Sequence, residues 1–270
     1  MKPAPFTYCS PGTLDEALAL LAEHGGEAKP LAGGQSLIPA MNFRLARPAV
    51  LVDLNGIAEL AYVRPQSGGV VIGAMTRQRA VERNDTVRGA APLLAETLPS
   101  IAHPQIRNRG TVGGNLGTAS PAGDALPPLL VEEAEVELAS AGGVRTMPLT
   151  DFLVGPKRNA LGADELITAV RVAPSRASQT FMKVGPRNAM VIAVCSLAVV
   201  ADRERGELRA SFGSAGPVPG LVRCPIEDAK ELPERVEAAA SPIDDVRGTA
   251  AYRRHALRVL AGRALERCLA

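Results

Sequence analysis

The sequence predicts an α+β protein, and three observations support that class. Over the first 55 residues, apolar segments and one amphipathic segment alternate in a β-α-β order. After residue 174 the pattern changes to apolar runs at residues 180–184, 192–200 and 207–212, which predict an antiparallel sheet. Helices are predicted from there to the C-terminus. The length of 270 residues is sufficient for two domains or subdomains with cores of their own.

The first helix is predicted to begin after Thr13, because Thr13 and Glu16 have the spacing of a capping box. Apolar residues follow at helical spacing, and the pair that begins at Gly25 ends the helix. Residues 29–32 then lead into a glycine-rich turn. Residues 50–54 are predicted as a strand because they are largely apolar.

The middle of the chain is predicted to combine strands with short helices. A strand over residues 70–74 follows a Ser-Gly-Gly turn, and helices are predicted over residues 77–83 and 92–98. Residues 134–139 and 144–147 lie on either side of a Gly-Gly pair, which predicts a β-hairpin.

The last predicted helix, over residues 250–269, is amphipathic. Its apolar residues recur at helical spacing and predict a buried face made of Leu257, Leu260, Ala261, Ala264, Leu265 and Cys268. Arg254, Arg258 and Arg267 are predicted to be exposed on another face. Two interpretations of that basic face are open: a solvated surface, or a docking site for an acidic partner.

Composition excludes several classes of protein. The net charge is +2, with 21% charged and 3% aromatic residues, so no basic or base-stacking surface for nucleic acid is expected. The first six residues lack the apolar region of a signal peptide, and no stretch approaches a membrane span. We therefore expect a cytoplasmic protein.

The cysteines of the chain argue against a metal site. They stand at positions 9, 195, 224 and 268 without any C-x-x-C spacing, and the three histidines are equally dispersed. Zinc and iron–sulfur sites need clustered thiolates. We therefore expect no metal site here and interpret the cysteines as reduced and structural.

Two short glycine motifs are the most informative feature of the sequence. The first glycine motif is Ala32-Gly33-Gly34-Gln35-Ser36, and the second glycine motif is Thr111-Val112-Gly113-Gly114-Asn115. Paired glycines lack the Cβ that would block left-handed or crowded backbone conformations, so successive N–H groups can surround an anion. Neither matches a P-loop or a G-x-G-x-x-G fingerprint, and a lone Gly-Gly is usually a turn. Two such motifs together predict a pyrophosphate site and therefore a dinucleotide ligand.

A polar run extends the second glycine motif as far as Asp124. It contains Thr118 and Ser120 and ends immediately before an apolar segment. So many hydroxyl, amide and carboxylate groups in one segment predict a bound ligand. For Asp124, two interpretations are open: an acceptor for ligand hydroxyls, or a cap for the element that begins at Ala125.

Three segments carry a resemblance to a known family. Residues 31–39 read Leu-Ala-Gly-Gly-Gln-Ser-Leu-Ile-Pro and are followed by Arg-Leu-Ala-Arg-Pro at residues 44–48. Residues 103–115 read His-Pro-Gln-Ile-Arg-Asn-Arg-Gly-Thr-Val-Gly-Gly-Asn. These two segments are similar to the two flavin loops of the FAD-binding subunits of molybdenum hydroxylases. That family includes the carbon monoxide dehydrogenase medium subunit and the xanthine dehydrogenase flavin domain. Residues 244–248, Asp-Asp-Val-Arg-Gly, together with residues 252–254, Tyr-Arg-Arg, resemble its C-terminal domain. The resemblance therefore covers essentially the whole chain.

The resemblance implies a detailed fold. It implies a FAD-binding domain of the vanillyl-alcohol-oxidase/PCMH type over residues 1–174. That domain would have two α/β subdomains, at about residues 1–55 and 56–174. An α+β domain like the C-terminal domain of carbon monoxide dehydrogenase flavoproteins, with a three-stranded antiparallel sheet, is implied over residues 175–270.

The resemblance also implies which residues contact FAD. From the first segment these are Leu31, Ala32, Gly33, Gly34, Gln35, Ser36 and Leu37. From the second segment and its extension these are Thr111, Gly113, Gly114, Asn115, Thr118, Ser120 and Asp124. Ile101 has a position that packs near the cofactor in relatives, and Leu166 or Ile167 would contact the isoalloxazine. Lys183 matches a lysine close to the ring, where its charge would favour the anionic reduced flavin.

The function implied by the resemblance is electron transfer within a larger enzyme. Gln35 stands in the first glycine motif and the covalent histidine linkage of some distant flavoprotein oxidases has no counterpart, so noncovalent FAD is expected. In the family, a large subunit oxidises substrate at a molybdenum cofactor, and a small subunit passes electrons to FAD through [2Fe–2S] clusters. The implied protein is therefore an oxidoreductase subunit in a dimer of heterotrimers, which delivers electrons to an external acceptor.

Two other functions are compatible with the same residues. The first is a self-contained FAD-dependent oxidoreductase of the same superfamily, which would need an acid or base near the flavin. The second is a non-enzymatic protein that has lost its cofactor, against which the intact glycine motifs and Asp124 argue. The substrate of the complex is not encoded in this chain, because substrate choice belongs to the molybdenum subunit.

Overall fold

The computed structural model describes residues 2–187 and 191–270. In this part of the chain the strands are β1 (Thr7–Cys9), β2 (Ala28–Leu31), β3 (Val50–Asp53), β4 (Val63–Gln66), β5 (Gly69–Gly73), β6 (Glu135–Ser140), β7 (Gly143–Pro148), β8 (Leu153–Gly155), β9 (Arg158–Asn159), β10 (Leu166–Val172), β11 (Ser178–Val184), β12 (Cys195–Asp202), β13 (Glu207–Gly213) and β14 (Gly220–Pro225). The helices are α1 (Leu14–His24), α2 (Leu37–Asn42), α3 (Gln78–Glu82), α4 (Asp85–Ala90), α5 (Pro92–Thr97), α6 (Pro104–Arg109), α7 (Val112–Thr118), α8 (Leu126–Val131), α9 (Leu149–Phe152), α10 (Leu232–Ala239) and α11 (Ala250–Leu269).

The N-terminal sheet is parallel, with β3 between β1 and β2. Parallel neighbours need a crossover connection, and α1 forms part of the connection from β1 to β3. The predicted cap of α1 is confirmed, because the Thr13 hydroxyl accepts a hydrogen bond from the Glu16 N–H at 3.2 Å. The carboxyl ends of the strands lie at one edge of the sheet. The first glycine motif begins at that edge, where β2 ends.

The central sheet has the order β4-β5-β10-β6-β7, with antiparallel pairing throughout. The predicted hairpin is confirmed as β6 and β7. The short helices between β5 and β6 pack on this sheet, because they share a core of buried apolar side chains with it that includes Ile72, Leu94, Leu116, Leu129 and Val170. Among them, α4 and α6 were not predicted. Both are only six residues long, and their apolar pattern is too short to detect.

The C-terminal sheet is antiparallel, in the order β11-β12-β13-β14. The three strands expected after residue 174 correspond to β11, β12 and β13. The sheet has a fourth strand as well, since β14 pairs with β13 from Glu207 opposite Pro225 to Phe212 opposite Gly220. β14 begins with glycine and ends with proline, which removes the usual sequence signal of a strand.

The two faces of the C-terminal sheet have different partners. One face packs on α10 and α11 through a buried apolar cluster that includes Leu197 and Leu257. The other face packs on α5 and α8, where Leu93 and Val131 meet Ala198 and Val200. We refer to this second contact as the seam. It joins the C-terminal sheet to the helices of the central sheet, and it brings β11 next to the polar run that follows α7.

The predicted buried face of α11 is confirmed in all but one of its side chains, since Leu265 is only partly buried. Of the three arginines predicted to be exposed on the basic face, Arg258 and Arg267 are exposed and Arg254 is partly buried. Arg258 pairs with Glu234 at 2.7 Å, and the Nε of Arg254 donates to the Ala240 carbonyl at 3.2 Å. Arg258 and Arg254 therefore connect α11 to α10 and to the residue that follows α10. None of the helices in the described ranges is both long and apolar enough to cross a membrane.

Candidate flavin-binding site

The first glycine motif is a tight turn between β2 and α2. The structure explains why both of its paired positions are occupied by glycine. Gly34 has a φ of 74°, a left-handed conformation that favours glycine. At Gly33 a Cβ would overlap the backbone carbonyl of Arg109. The turn is closed by the Gln35 side-chain amide, which donates to the Gly33 carbonyl at 3.2 Å.

The second glycine motif is the first turn of a helix, α7, rather than a loop. Thr111 caps this helix, because its hydroxyl accepts a hydrogen bond from the Gly114 N–H at 3.0 Å. Gly113 lies directly against the central sheet, where a Cβ would come within 2.5 Å of the Ala74 Cβ. Glycine has a low helix propensity, so the sequence did not indicate a helix here. The cap and the close approach to Ala74 explain why one forms.

The two glycine motifs are in contact with each other. The backbone of Gly33 lies against Arg109 and Gly110, which directly precede the second motif. A Cβ on Gly114 would stand 3.3 Å from the Ala32 Cβ and 4.0 Å from the Gly33 nitrogen. Only chains without side chains at these positions approach so closely. The residues predicted to surround a pyrophosphate therefore lie side by side, at the boundary between the N-terminal and central sheets.

Asp124 and Lys183 form an ion pair across the seam. The Lys183 Nζ donates to Asp124 Oδ2 at 2.6 Å and to the Ser100 carbonyl at 3.0 Å. The side chains of Lys183 and Asp124 are 12% and 6% exposed. The interpretation of Asp124 as a helix cap is wrong, because α8 has Ala125 at its N-cap position without a side-chain hydrogen bond within the described residues. Separate roles were predicted for the two residues, whereas the structure joins them.

Asp124 and Asn115 each have a buried oxygen, Oδ1 in both, without a hydrogen-bond partner in the part of the chain that the structure describes. Burial raises the pKa of Asp124, and the Lys183 ammonium and the Ser196 hydroxyl act against that rise. A buried acceptor without a partner costs free energy, and such atoms are rare in proteins. FAD has ribityl and ribose hydroxyl donors that suit these two acceptors. The residues present therefore fit FAD.

The hydroxyl groups of the predicted site differ in what they already bind. Thr118 donates to the Gly114 carbonyl at 2.7 Å, so its hydroxyl stabilises α7. The Ser120 hydroxyl accepts from the Ala122 N–H at 3.3 Å within a local turn. Ser36 precedes α2 but makes no side-chain capping bond among the described residues. Of these hydroxyls, that of Ser36 has the greatest capacity for a ligand.

The predicted apolar contacts lie in different parts of the structure. Ile167 lies beside α7, since its Cδ1 would be 3.6 Å from a Cβ on Gly117. Leu166 packs instead in the core beneath the N-terminal sheet. Ile101 is buried and directly follows Ser100, whose carbonyl binds Lys183. Of the alternatives Leu166 and Ile167, the structure brings Ile167 next to the second glycine motif.

Arg107 was not predicted as a site residue, and its buried guanidinium holds the segment that precedes the second glycine motif. It pairs with Glu82 at 2.9 Å and donates to the carbonyls of Ile101 and Ala102, both at 2.8 Å. Arg107 lies inside the second resembling segment, which was the available signal. Asn55 and Arg77 were also missed, because nothing in their local sequence distinguishes them from surface polar residues.

The fold and the site together define a dinucleotide-binding flavoprotein. Two glycine motifs meet between the parallel N-terminal sheet and the central sheet with its helices. One unsatisfied buried acceptor ends the second motif, and another follows it at Asp124. The family described as the FAD binding domain in molybdopterin dehydrogenase matches residues 4–175. The chain belongs to that family.

Relatives with related names match along the whole chain. The carbon monoxide dehydrogenase medium chain of Afipia carboxidovorans is 36% identical over 100% of this chain and 99% of its own length. The 6-hydroxypseudooxynicotine dehydrogenase complex subunit alpha of Paenarthrobacter nicotinovorans is 34% identical over 100% of this chain and 96% of its own length. A chain of the carbon monoxide dehydrogenase from Hydrogenophaga pseudoflava superposes with a TM-score of 0.92 at 32% identity, over 100% of this chain and 99% of that chain.

Proposed function

We propose that this chain is the FAD-binding electron-transfer subunit of a molybdenum hydroxylase complex. The observation that carries the proposal is the buried Oδ1 of Asp124, which has no partner among the described residues. Lys183 fixes the other oxygen of that carboxylate, so the unsatisfied acceptor has a defined position. Family membership and the match of relatives along the whole chain agree with an oxidoreductase subunit that binds FAD.

FAD is held noncovalently in this proposal, with the pyrophosphate between the two glycine motifs. Its contacts are the residues predicted from sequence: Leu31, Ala32, Gly33, Gly34, Gln35, Ser36, Leu37, Thr111, Gly113, Gly114, Asn115, Thr118 and Ser120. Asp124 and Asn115 accept hydrogen bonds from its donors. Ile167, Ile101 and Leu166 supply the apolar surroundings of the isoalloxazine, and Ile167 lies beside α7.

Bound FAD supplies redox chemistry, by which electrons from the [2Fe–2S] clusters of a partner subunit pass to an external acceptor. The protein binds and orients the cofactor rather than providing an acid or base. Lys183 favours the ionised form of Asp124, and its charge lies at the end of the site where the seam begins. Both side chains of that charge pair are largely buried, so little water reaches it.

The assembly we propose contains a small [2Fe–2S] subunit and a large molybdenum subunit, as a dimer of heterotrimers in the cytoplasm. Names of relatives such as "medium chain" and "complex subunit alpha" support a multi-subunit complex. Within the chain we propose a FAD-binding domain of residues 1–174, divided near residue 55, and a C-terminal domain of residues 175–270. The change from the central sheet to the C-terminal sheet supports the boundary at residue 174.

The test is to purify the chain alone and together with its partner subunits. The single chain is expected to bind FAD and to be reduced by artificial reductants, but not by purines, aldehydes or carbon monoxide. Hydroxylase activity is expected only after the iron–sulfur and molybdenum subunits are restored. Substrate-dependent flavin reduction in the single chain would instead establish a self-contained flavoenzyme. A colourless chain that takes up no FAD would contradict both.

A further inference from the structure

Two polar side chains connect the glycine motifs. Asn55 follows β3, and its Nδ2 donates to the carbonyl of Ala32 at 3.0 Å. Arg77 precedes α3 and donates in two directions, from Nη2 to Asn55 Oδ1 at 2.6 Å and from Nη1 to the Arg109 carbonyl at 2.7 Å. We refer to Asn55 and Arg77 as the bridge. It runs from the first residue of the first motif to the segment that leads into the second.

The bridge closes a ring of contacts. The Arg109 carbonyl that binds Arg77 is the same group that packs against Gly33. Starting at Gly33, the ring therefore passes through Ala32, Asn55, Arg77 and Arg109 and returns to Gly33. A closed ring fixes both the distance and the orientation of the two backbone segments, which a single contact does not.

The bridge is anchored to the N-terminal sheet. Asp53, the last residue of β3, accepts from the Asn55 N–H at 2.9 Å and also from the Asn55 side-chain amide. The Tyr8 hydroxyl donates to the other oxygen of Asp53 at 2.5 Å. The position of Asn55 is therefore set by two strands of the parallel sheet. The bridge carries that position across to the central sheet.

Within the described residues, backbone hydrogen bonds do not connect the two glycine motifs to each other. In the first motif they are local, such as that from the Ile38 N–H to the Gly34 carbonyl. In the second motif they run to the end of β5, where the Gly113 N–H donates to the Ala74 carbonyl at 2.8 Å. Each motif is thus held to its own sheet. The hydrogen bonds that span the two are those of the bridge.

We propose that Asn55 and Arg77 are positioning residues for the pyrophosphate of FAD. This inference rests on the proposed function, because it requires a pyrophosphate between the motifs. The N–H groups of residues 112–115 already donate within the protein, so the second motif would bound the pyrophosphate by close packing and side chains rather than by N–H donors. A ligand that lies between two segments still needs both at a fixed separation, and small errors in such a separation weaken binding strongly. The bridge acts through the backbone of Ala32 and Arg109. The Arg77 side-chain donors that form the bridge are occupied by Asn55 and Arg109.

The experiment measures dissociation constants of FAD, ADP and riboflavin for the full-length apoprotein by titration. Arg77→Gln and Asn55→Ala are each expected to weaken binding of FAD and ADP by about tenfold. Riboflavin has no phosphate, so its dissociation constant is expected to stay unchanged. Arg77→Lys is expected to resemble Arg77→Gln, since an ammonium does not span both acceptors. The control is Arg88→Gln, an exposed arginine that pairs with Asp85 on the same helix.

The double variant provides the sharper result. If the two residues form one bridge, Arg77→Gln with Asn55→Ala binds FAD no more weakly than the worse single variant. Three outcomes would contradict the positioning role without affecting the proposed function. These are additive losses of affinity in the double variant, equal losses of affinity for riboflavin and FAD, and unchanged FAD binding in the single variants. Failure of the wild-type chain to bind FAD would overturn the proposed function, and the wild-type titration reports that separately.

Discussion

The Lys183 ammonium lies 2.6 Å from the Asp124 carboxylate, although Lys183 belongs to the C-terminal sheet and Asp124 to the polar run after α7. The same ammonium also binds the carbonyl of Ser100, so it connects one strand to two separate segments. Both side chains are largely buried, so each compensates a charge that water does not reach. The candidate flavin-binding site therefore borders the C-terminal sheet as well as the two sheets that carry the glycine motifs.

Replacing Lys183 alone should lower the free energy of unfolding more than replacing both Lys183 and Asp124. Lys183→Met leaves the Asp124 carboxylate buried without a compensating charge, at a cost of about 3–5 kcal/mol in the free energy of unfolding. Lys183→Met combined with Asp124→Asn should recover much of that loss, because no buried charge remains. Urea denaturation of the apoprotein measures both. Equal stabilities of the single and the double variant would contradict the pair.

Asp124→Ala should weaken FAD binding by about 1.5–3 kcal/mol, through the loss of a charged acceptor. The unsatisfied Oδ1 of Asp124 is the reason for expecting a direct effect on the ligand. Titration of the folded apoprotein with FAD gives the dissociation constant. Asp85→Ala is the matched control, because Asp85 is 94% exposed and pairs only with Arg88 among the described residues. An unchanged dissociation constant for Asp124→Ala would exclude the ligand role.

Gly114→Ala should abolish flavin retention, whereas Gly117→Ala on the same helix should not. A Cβ at Gly114 would stand 2.8 Å from the Thr111 hydroxyl oxygen and 3.3 Å from Ala32, between the two motifs. A Cβ at Gly117 would make only an ordinary contact with Ile167, at 3.6 Å. Both changes raise helix propensity equally, so that effect cancels. The measurement is the flavin content of the two purified variants. A Gly114→Ala variant that retains its full flavin content would show that the pyrophosphate lies elsewhere.

Glu132 should make the protein less stable as the pH rises. Both of its carboxylate oxygens are buried without a partner among the described residues, and burial raises its pKa from the usual 4.5 to about 8 against the opposing charge of Arg209. Between these two pKa values the folded state holds a proton that the unfolded state releases. Stability therefore falls as the pH rises through that window, by about 1.4 kcal/mol per pH unit, and levels off above it.

Glu132→Gln removes this titration and should flatten that part of the pH dependence. The measurement is the free energy of unfolding of both proteins at about pH 5 and about pH 8. The difference between the two proteins should be larger at the higher pH, in favour of the glutamine variant. A difference that does not change with pH would mean that Glu132 is already ionised in the folded state.

Local sequence signals predicted the elements whose pattern is complete within a few residues. Thr13 and Glu16 located the start of α1, and the glycine pair before Val144 located the β6–β7 hairpin. α7 was not predicted, because its helical form depends on the contact of Gly113 with Ala74. β14 was not predicted, because pairing along β13 determines it more than its own composition does.

The candidate site was predictable as a set of residues but not as an arrangement. Glycine pairs and a polar run selected Gly33, Gly114 and Asp124 from the sequence, and the resemblance added Lys183. The pairing of Lys183 with Asp124 joins residues 59 positions apart, so no local pattern contains it. Arg77 illustrates the same limit, since its importance arises only when Ala32 and Arg109 come together in the fold.

The position of β10 has a consequence for how the protein is made. β10 is the last strand of the central sheet in the chain, yet it lies between β5 and β6. On the ribosome, both glycine motifs emerge long before the strand that supports α7, and pairing over such distances is slow. Until residue 172 has been synthesised, β5 and β6 have open edges that can pair with other chains. We therefore expect flavin loading to follow translation of β10, and truncation before β10 to yield aggregates rather than a smaller flavoprotein.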